Sequence, residues 1–307
     1  MNTVDSRGTH LVFGATGQVG AALVRMLGER GCAVVAPTRA EADFSTPDAV
    51  GAFVARVRPQ VIFNAASYNF VDRAEADFAT ARAVNAESVR AMADAARAVD
   101  ARIVHYSTDY VFDGSGTEPW REDDVPAPLN AYGRSKLEGE LAVRRSGARH
   151  LLLRTSWVHS ATRACFVRTV LELAAARESL EMVADQICCP SSADFIAEST
   201  LALLARASLA HEAFNHEVFH VVPGGSVSRH AYAQEIVRVA LDHGARLRLA
   251  PDAIHAVRLA DRPAEAARPP NAVLSCRRLE ETLGTRAPGW QAGVRETVRA
   301  LVQASNA

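Results

Sequence analysis

The sequence contains few cysteines, no run of charge of one sign and no long hydrophobic segment. Its five cysteines are odd in number and lack the spacing of metal ligands, which excludes a disulfide-rich secreted domain and favours a reducing cytoplasm. Its 34 basic and 35 acidic residues nearly balance, so we expect no binding to nucleic acid or to a membrane surface. The apolar runs fall short of the about 20 residues that span a bilayer, and no signal peptide is expected.

Two of the cysteines, Cys188 and Cys189, are adjacent. They could form a redox pair, but buried small apolar side chains are the commoner use of such residues. No cluster of metal ligands is visible, so we expect no metal.

The remaining composition is that of a globular protein. Of 307 residues, 49% are apolar and 22% are charged, which is enough for one large domain or two interleaved ones. Short apolar runs alternate with helical patterns, and this indicates an α/β fold with a Rossmann-type, doubly wound parallel sheet. The alternation loosens after residue 160. We therefore expect a Rossmann domain over residues 1–158 and a smaller, mainly substrate-binding domain over residues 159–307, partly interleaved with the first.

A glycine-rich turn connects the first predicted strand to the first predicted helix. His10–Phe13 is apolar, Gly14-Ala-Thr-Gly-Gln-Val-Gly20 follows, and a helical pattern begins at Ala21. Strand, glycine turn and helix in this order are the context of a dinucleotide-binding fingerprint, with the helix N-terminus facing the phosphates. A glycine turn without a ligand is the alternative. The cofactor contacts predicted here are Gly14, Thr16, Gly17, Gln18 and Val19.

The residues after the second and third predicted strands bear on the choice of cofactor. An acidic residue after the second strand would bind the ribose of NAD, but this chain has Arg39 there, which favours a 2′-phosphate and therefore NADPH, with NADH still open. Arg39 could equally be a solvated loop charge. Asp43 and Phe44 could bracket an adenine, although Phe44 could also belong to the core. Small residues after the third strand allow a cofactor to approach closely: Ala65, Ala66 and Ser67.

A second group of polar residues follows the fourth predicted strand. Thr108 ends this strand, and Tyr132 and Lys136 stand four residues apart in a predicted helix, so their side chains share one face. An ammonium beside a phenol stabilises the phenolate, and we expect it to lower the pKa of Tyr132. Tyr132 would then be a usable general acid or base. Taken alone, this spacing also fits an ordinary amphipathic helix.

Five motifs together carry a family resemblance that covers nearly the whole chain. They are Gly14-x-x-Gly17-x-x-Gly20, Asn64-Ala-Ala, Tyr106-Ser-Thr-Asp-Tyr-Val-Phe112, Tyr132-x-x-x-Lys136 and Arg154-Thr-Ser-Trp157. The set resembles the extended short-chain dehydrogenase/reductases, and within them most closely the dTDP-4-dehydrorhamnose reductases.

This resemblance implies that NADPH or NADH reduces the C4 ketone of dTDP-4-dehydrorhamnose to give dTDP-L-rhamnose. Tyr132 would donate a proton to the developing oxyanion, Lys136 would hold the nicotinamide ribose and tune Tyr132, and Thr108 would stabilise charge on the carbonyl oxygen. The positions matched to sugar contacts are Asn69, Thr108, Asp109, Tyr110 and Trp157. A homodimer is left open.

Two further residues have more than one interpretation. Trp157 follows the fifth predicted strand, where an aromatic side chain is either part of the core or a wall against a sugar ring. Arg268 is a candidate clamp for a substrate diphosphate, but an exposed arginine is the commoner case. A long helical region is also predicted from Val71 to about Val99.

Departures from the family pattern leave the exact sugar open. Related dehydratases carry a glutamate where this chain has Tyr110, which argues against dehydration. The reductases usually differ at Asn69, at Phe70, over Arg163-Ala-Cys-Phe166, and at Cys188, where they have glycine. Two rival functions follow: reduction of another nucleotide-linked ketosugar, and a non-catalytic regulatory subunit of the same fold.

Overall fold

A computed structural model describes residues 8–209, 216–262 and 264–306. The strands are β1 (Thr9–Phe13), β2 (Ala33–Val35), β3 (Val61–Asn64), β4 (Arg102–Thr108), β5 (His150–Thr155), β6 (Val158–His159), β7 (Leu180–Val183), β8 (Ile187–Cys188), β9 (Ser191–Ser192), β10 (Glu217–His220), β11 (Val227–Ser228), β12 (Ile254–Val257) and β13 (Asn271–Ala272). The α-helices are α1 (Gln18–Glu29), α2 (Pro47–Val57), α3 (Arg73–Ala76), α4 (Phe78–Arg82), α5 (Ser88–Ala98), α6 (Ala131–Ser146), α7 (Phe166–Ala176), α8 (Ala193–Leu209), α9 (Arg229–Asp242), α10 (Arg277–Leu283) and α11 (Trp290–Asn306).

The central sheet has six parallel strands in the order β10-β5-β4-β3-β1-β2. The predicted α/β class with a parallel sheet is confirmed. Chain order reverses between β1 and β3, where Phe13 pairs in register with Asn64. In open α/β sheets ligands bind beyond the carboxyl ends of the strands at such a reversal. The segments that follow Phe13 and Asn64 therefore meet at the ligand-binding edge.

Helices cover both faces of the sheet because its strands are apolar on both sides. Along β1, Val12 packs into the cluster that contains α1 and α8, whereas Leu11 and Phe13 pack into the cluster that contains α2 and α5. Side chains of a strand alternate between faces, so a continuous apolar run requires two covering layers. One of these layers includes α8, and the sheet includes β10, although both lie beyond residue 158.

The remaining elements form a second, smaller core. Helices α7, α9 and α11 pack around Tyr232 and Trp290, and β7 pairs with β12 beside them. None of the described helices is long and apolar enough to cross a membrane.

The long helical region expected from Val71 to Val99 is interrupted. Asp77 leaves the helical conformation between α3 and α4, and its carboxylate accepts a hydrogen bond from the Thr80 amide at 3.2 Å. A π-helical turn over Ala83–Glu87 then separates α4 from α5. Such π-helical turns often accompany functional sites.

Candidate active site

The glycine turn brings two backbone segments too close together for larger residues. Gly14 has a φ of +74°, and a Cβ placed on it would lie 2.6 Å from the backbone of Ala65. A Cβ on Gly20 would lie 2.1 Å from the Gly14 carbonyl oxygen. Helix α1 begins directly after Gly17, which provides no side-chain cap, and its first turn has no acidic residue. Its first amides and positive dipole end are thus available to phosphate groups.

A cavity of about 600 Å³ lies beside this turn, and we call it the cofactor cavity. It brings together most of the residues predicted to bind the cofactor. These are Gly14, Thr16, Gly17, Arg39, Asp43, Phe44, Ala65, Ala66 and Ser67.

The side chains near the expected adenosine end have different surroundings. Arg39 is 82% exposed and lies 3.4 Å from an Asp43 carboxylate oxygen, so its charge is only weakly held. Asp43 also accepts a hydrogen bond from the Ser45 amide at 2.8 Å, and this bond holds the pKa of Asp43 below its usual value. Phe44 is buried with its ring edge on Phe13, 5.1 Å between centroids. Phe44 is therefore a core residue, which was one of the two interpretations of the sequence, and it also lines the cofactor cavity.

A second cavity of about 620 Å³ adjoins the first, and we call it the catalytic cavity. Five residues line both: Thr16, Gly17, Ala65, Ser67 and Asn69. The catalytic cavity also contains the predicted residues Gln18, Val19, Thr108, Asp109, Tyr110, Tyr132, Lys136 and Trp157. Arg268 lines neither cavity.

Helix α6 places Tyr132 and Lys136 one turn apart beside the end of β4. The Asn130 side chain caps the helix by accepting from the Gly133 amide at 2.8 Å. Lys136 is buried, and its Nζ donates to the Tyr106 carbonyl oxygen at 2.6 Å. Burial lowers the pKa of Lys136 to about 8.

The expected direction of the pKa shift of Tyr132 is wrong for this structure. Burial raises the pKa of the Tyr132 phenol, hydrogen bonding to Thr108 opposes the rise, and the nearby Asp109 charge adds to it. Lys136 makes its hydrogen bond to a backbone carbonyl instead of to the phenol. The phenol is consequently protonated at neutral pH, which is the form a general acid requires.

A hydrogen-bonded chain runs behind Tyr132. The Thr108 hydroxyl donates to one carboxylate oxygen of Asp109 at 2.9 Å, and the Ser156 hydroxyl donates to the other at 2.7 Å. Asp109 is 3% exposed, and burial raises its pKa to about 6. Both oxygens of Asp109 are thus engaged by the protein. Ser156, which the sequence analysis did not single out, follows β5 immediately.

The π-helical turn supplies another residue that the sequence analysis missed. Asn85 accepts from the Tyr68 amide at 2.8 Å and from the Ser67 hydroxyl at 3.0 Å, and it donates to the Tyr68 carbonyl oxygen and to Ser135. These bonds fix the loop after β3 against α6. The signal in the sequence that could have identified Asn85 was a polar residue within the alanine-rich stretch 81–86.

Trp157 is both a wall of the catalytic cavity and a packed residue. Its φ is +36°, which is rare for a bulky side chain and indicates a functional constraint. Its ring stacks on Tyr232 at 5.9 Å. The guanidinium of Arg229 lies 4.9 Å from the Trp157 ring and also lines the cavity. Arg229 was not predicted, since nothing near it in sequence indicates a ligand.

Two other expectations are resolved by long-range contacts. Arg268 donates to Asp72 at 2.7 Å and is 17% exposed, so its charge is already paired inside the protein. Cys188 and Cys189 are buried and unbonded to each other, and burial raises the pKa of Cys189 to about 12. They are core residues and not a redox pair. Within the part of the chain that the structure describes, no group of His, Cys, Asp or Glu side chains could hold a metal ion.

Comparisons of sequence agree with this arrangement. A family model for the RmlD substrate binding domain matches residues 9–303. The chain is 42% identical to a dTDP-4-dehydrorhamnose reductase of Burkholderia thailandensis over 294 residues, which cover 95% of this chain and 98% of the relative. It is 38% identical to the reductase of the same name from Shigella flexneri, over 95% of this chain and 97% of the relative.

Comparisons with solved structures give the same result. A dTDP-4-dehydrorhamnose reductase from Clostridium acetobutylicum aligns with a TM-score of 0.87 and 30% identity, covering 95% of this chain and 99% of that one. The reductase of Bacillus anthracis, solved in complex with NADP, aligns with a TM-score of 0.84 and 29% identity, covering 94% and 98%.

Proposed function

The chain belongs to the RmlD family, and from this membership we propose that it reduces the C4 ketone of dTDP-4-dehydrorhamnose to dTDP-L-rhamnose with NADPH. The observation that carries the proposal is the meeting of Thr108, Tyr132 and Lys136 with the glycine turn around two adjoining cavities. The general acid and the cofactor-binding turn thereby border adjoining cavities, in which a substrate and a cofactor can meet. A regulatory subunit would have no use for Thr108, Tyr132 and Lys136 together in one cavity beside a glycine turn.

Tyr132 donates its proton to the ketone oxygen as charge develops there. Its raised pKa keeps that proton in place until the substrate is bound. Thr108 can hydrogen-bond the same oxygen only by turning its single hydrogen away from Asp109. Lys136 supports the resulting phenolate with its charge. Asn69, Tyr110 and Trp157 enclose the sugar.

The residues present fit a phosphorylated dinucleotide. The close approach of Gly14 to Ala65 leaves room for a pyrophosphate at the start of α1, which Gly17 and Thr16 border. Arg39, weakly paired and exposed, is positioned to hold a 2′-phosphate. When bound, NADPH supplies the hydride for C4. Lys136 and Ser67, which line the catalytic cavity, would hold its nicotinamide ribose.

Three further statements belong to the proposal. Cys165, Cys188, Cys189 and Cys276 form no disulfide with one another, which supports a cytoplasmic location for the protein. A homodimer and a division into domains near residue 158 belong to the proposal as well. The departures at Asn69 and Arg163, both of which line the catalytic cavity, favour a related ketosugar as the second candidate substrate.

The experiment is a cofactor-oxidation assay with the purified protein, a panel of dTDP-ketohexoses and each nicotinamide cofactor. We expect turnover of dTDP-4-dehydrorhamnose with NADPH and dTDP-L-rhamnose as the product. Turnover of a different ketosugar alone would replace the substrate and keep the chemistry. No oxidation of either cofactor with any ketosugar would reject the enzyme proposal.

A further inference from the structure

The catalytic cavity contains an arginine whose charge the protein does not neutralise. Arg229 is the first residue of α9, and it lines the cavity together with Thr108 and Tyr132. No carboxylate of the described residues forms an ion pair with it. Its Nε is buried and has no hydrogen-bond partner. A buried polar atom without a partner is costly, and a water, an ion or a ligand that accepts its hydrogen removes that cost.

The Arg229 guanidinium is nevertheless held firmly in place. It lies 4.9 Å from the Trp157 ring centroid and 4.8 Å from the Phe166 ring centroid. Contacts of this kind hold a guanidinium against aromatic rings without using its N–H groups as hydrogen-bond donors, so these groups are left for another partner. The titratable groups that its charge affects are Tyr110, Tyr232 and Cys188, and burial raises the pKa of each, so all three are neutral.

A second cation, Arg163, lines the same cavity and is exposed. The described lining contains one carboxylate, Asp109, whose oxygens are both occupied by Thr108 and Ser156. The part of the catalytic cavity formed by Arg163 and Arg229 is therefore positively charged and open to an anion. Neither arginine lines the cofactor cavity.

We propose that Arg229, assisted by Arg163, binds the diphosphate of a nucleoside-diphosphate sugar in the catalytic cavity. This rests on the proposed function, because a neutral sugar ketone offers no negative charge to an arginine. The cofactor phosphates belong at the glycine turn, in the other cavity. Arg268, the clamp expected from the sequence, is paired with Asp72 and lines neither cavity.

The test measures binding of dTDP and of NADPH by calorimetry to the full chain and three variants. Arg229→Met keeps an apolar side chain against the two rings and removes the charge. We expect it to weaken dTDP binding by about 10- to 100-fold, the effect of losing one charge-assisted hydrogen bond, and to leave NADPH binding unchanged. Arg229→Lys keeps the charge and should recover part of the dTDP affinity. Arg268→Met is the matched control and should leave dTDP affinity unchanged.

Four results would overturn the assignment. Undiminished dTDP binding by Arg229→Met would reject it while leaving the proposed function intact, as would a loss confined to Arg268→Met. An equal loss of dTDP and NADPH affinity in Arg229→Met would show that Arg229 only supports the fold. Wild-type protein that binds NADPH but not dTDP would reject both this inference and the proposed substrate class.

Discussion

The Thr108 hydroxyl gives its only hydrogen to the Asp109 carboxylate, 2.9 Å away. The second carboxylate oxygen accepts from Ser156. Asp109 thus acts on the reacting centre through its neighbours: it orients Thr108, and its negative charge helps to raise the pKa of Tyr132. Asp109 also lines the catalytic cavity, and its predicted contact with the sugar stays a prediction beside this positioning role.

Asp109→Asn should lower the pKa of Tyr132. Burial, the main cause of the raised value, is unchanged, but the negative charge that adds to it is removed. Ultraviolet difference titration detects tyrosinate, and subtracting the titration of Tyr132→Phe isolates this residue. Ser156→Ala keeps the Asp109 charge and serves as the control, with no downward shift expected. A midpoint in Asp109→Asn equal to or above the wild-type midpoint would contradict the prediction.

Tyr132→Phe should reduce turnover by on the order of 10²-fold or more, because a general acid contributes that much. NADPH affinity should stay the same, since the phenyl ring keeps the packing. Single-turnover kinetics with NADPH fluorescence measures both quantities. An unchanged rate would remove Tyr132 from the mechanism.

Arg39→Ala should shift the cofactor preference toward NADH. Arg39 is exposed and weakly paired, so its removal costs the fold little, whereas a lost 2′-phosphate contact raises the KM for NADPH by about tenfold. The KM for NADH should not change. Arg90→Ala, an exposed arginine on α5 paired with Asp94, is the matched control. Equal effects on both cofactors would mean that Arg39 does not read the 2′-phosphate.

Lys136→Met should have a higher unfolding free energy than the wild type at neutral pH, and this difference should be smaller at high pH. The pKa of Lys136 is lowered to about 8 in the folded chain from 10.5, so between these values the unfolded state binds more protons. Unfolding free energy of the wild type therefore rises with pH across this window, and removal of the lysine abolishes that contribution. The advantage of Lys136→Met, on the order of 3 kcal/mol at most, should shrink as pH rises. Urea unfolding of both proteins at about pH 7 and about pH 10 measures this difference in unfolding free energy. A difference that is the same at both pH values would refute the prediction.

Arg154→Met should lower the unfolding free energy by about 3–5 kcal/mol. Arg154 donates from two nitrogens to both oxygens of Glu140, at 2.9 and 2.8 Å, and both side chains are 1% exposed. The single change leaves a buried carboxylate without its cation. The double variant Arg154→Met with Glu140→Gln should recover much of the loss in urea unfolding. A double variant no more stable than the single one would argue against the unpaired charge as the cause.

The arrangement of strands and the glycine turn could be predicted because they depend on local patterns. Apolar runs form strands whichever strands they pair with. Gly14 follows the last residue of β1, and Gly17 comes three residues later. The spacing of Tyr132 and Lys136 required only that the segment be helical, and α6 begins at Ala131. The interrupted helix around Asp77 was missed because a side-chain cap outweighed a continuous helical pattern.

The sequence by itself determined the fold class and the place of the glycine turn, and it predicted Thr108, Tyr132 and Lys136 as catalytic residues, since each depends on spacing within one or two elements. Only the tertiary structure decided the protonation of Tyr132, the pairing of Arg268 with Asp72 and the approach of Arg229 to the cavity. Burial and charge pairing depend on distances between segments far apart in the chain, 196 residues in the case of Asp72 and Arg268. No local pattern contains those distances, because packing of the whole chain sets them.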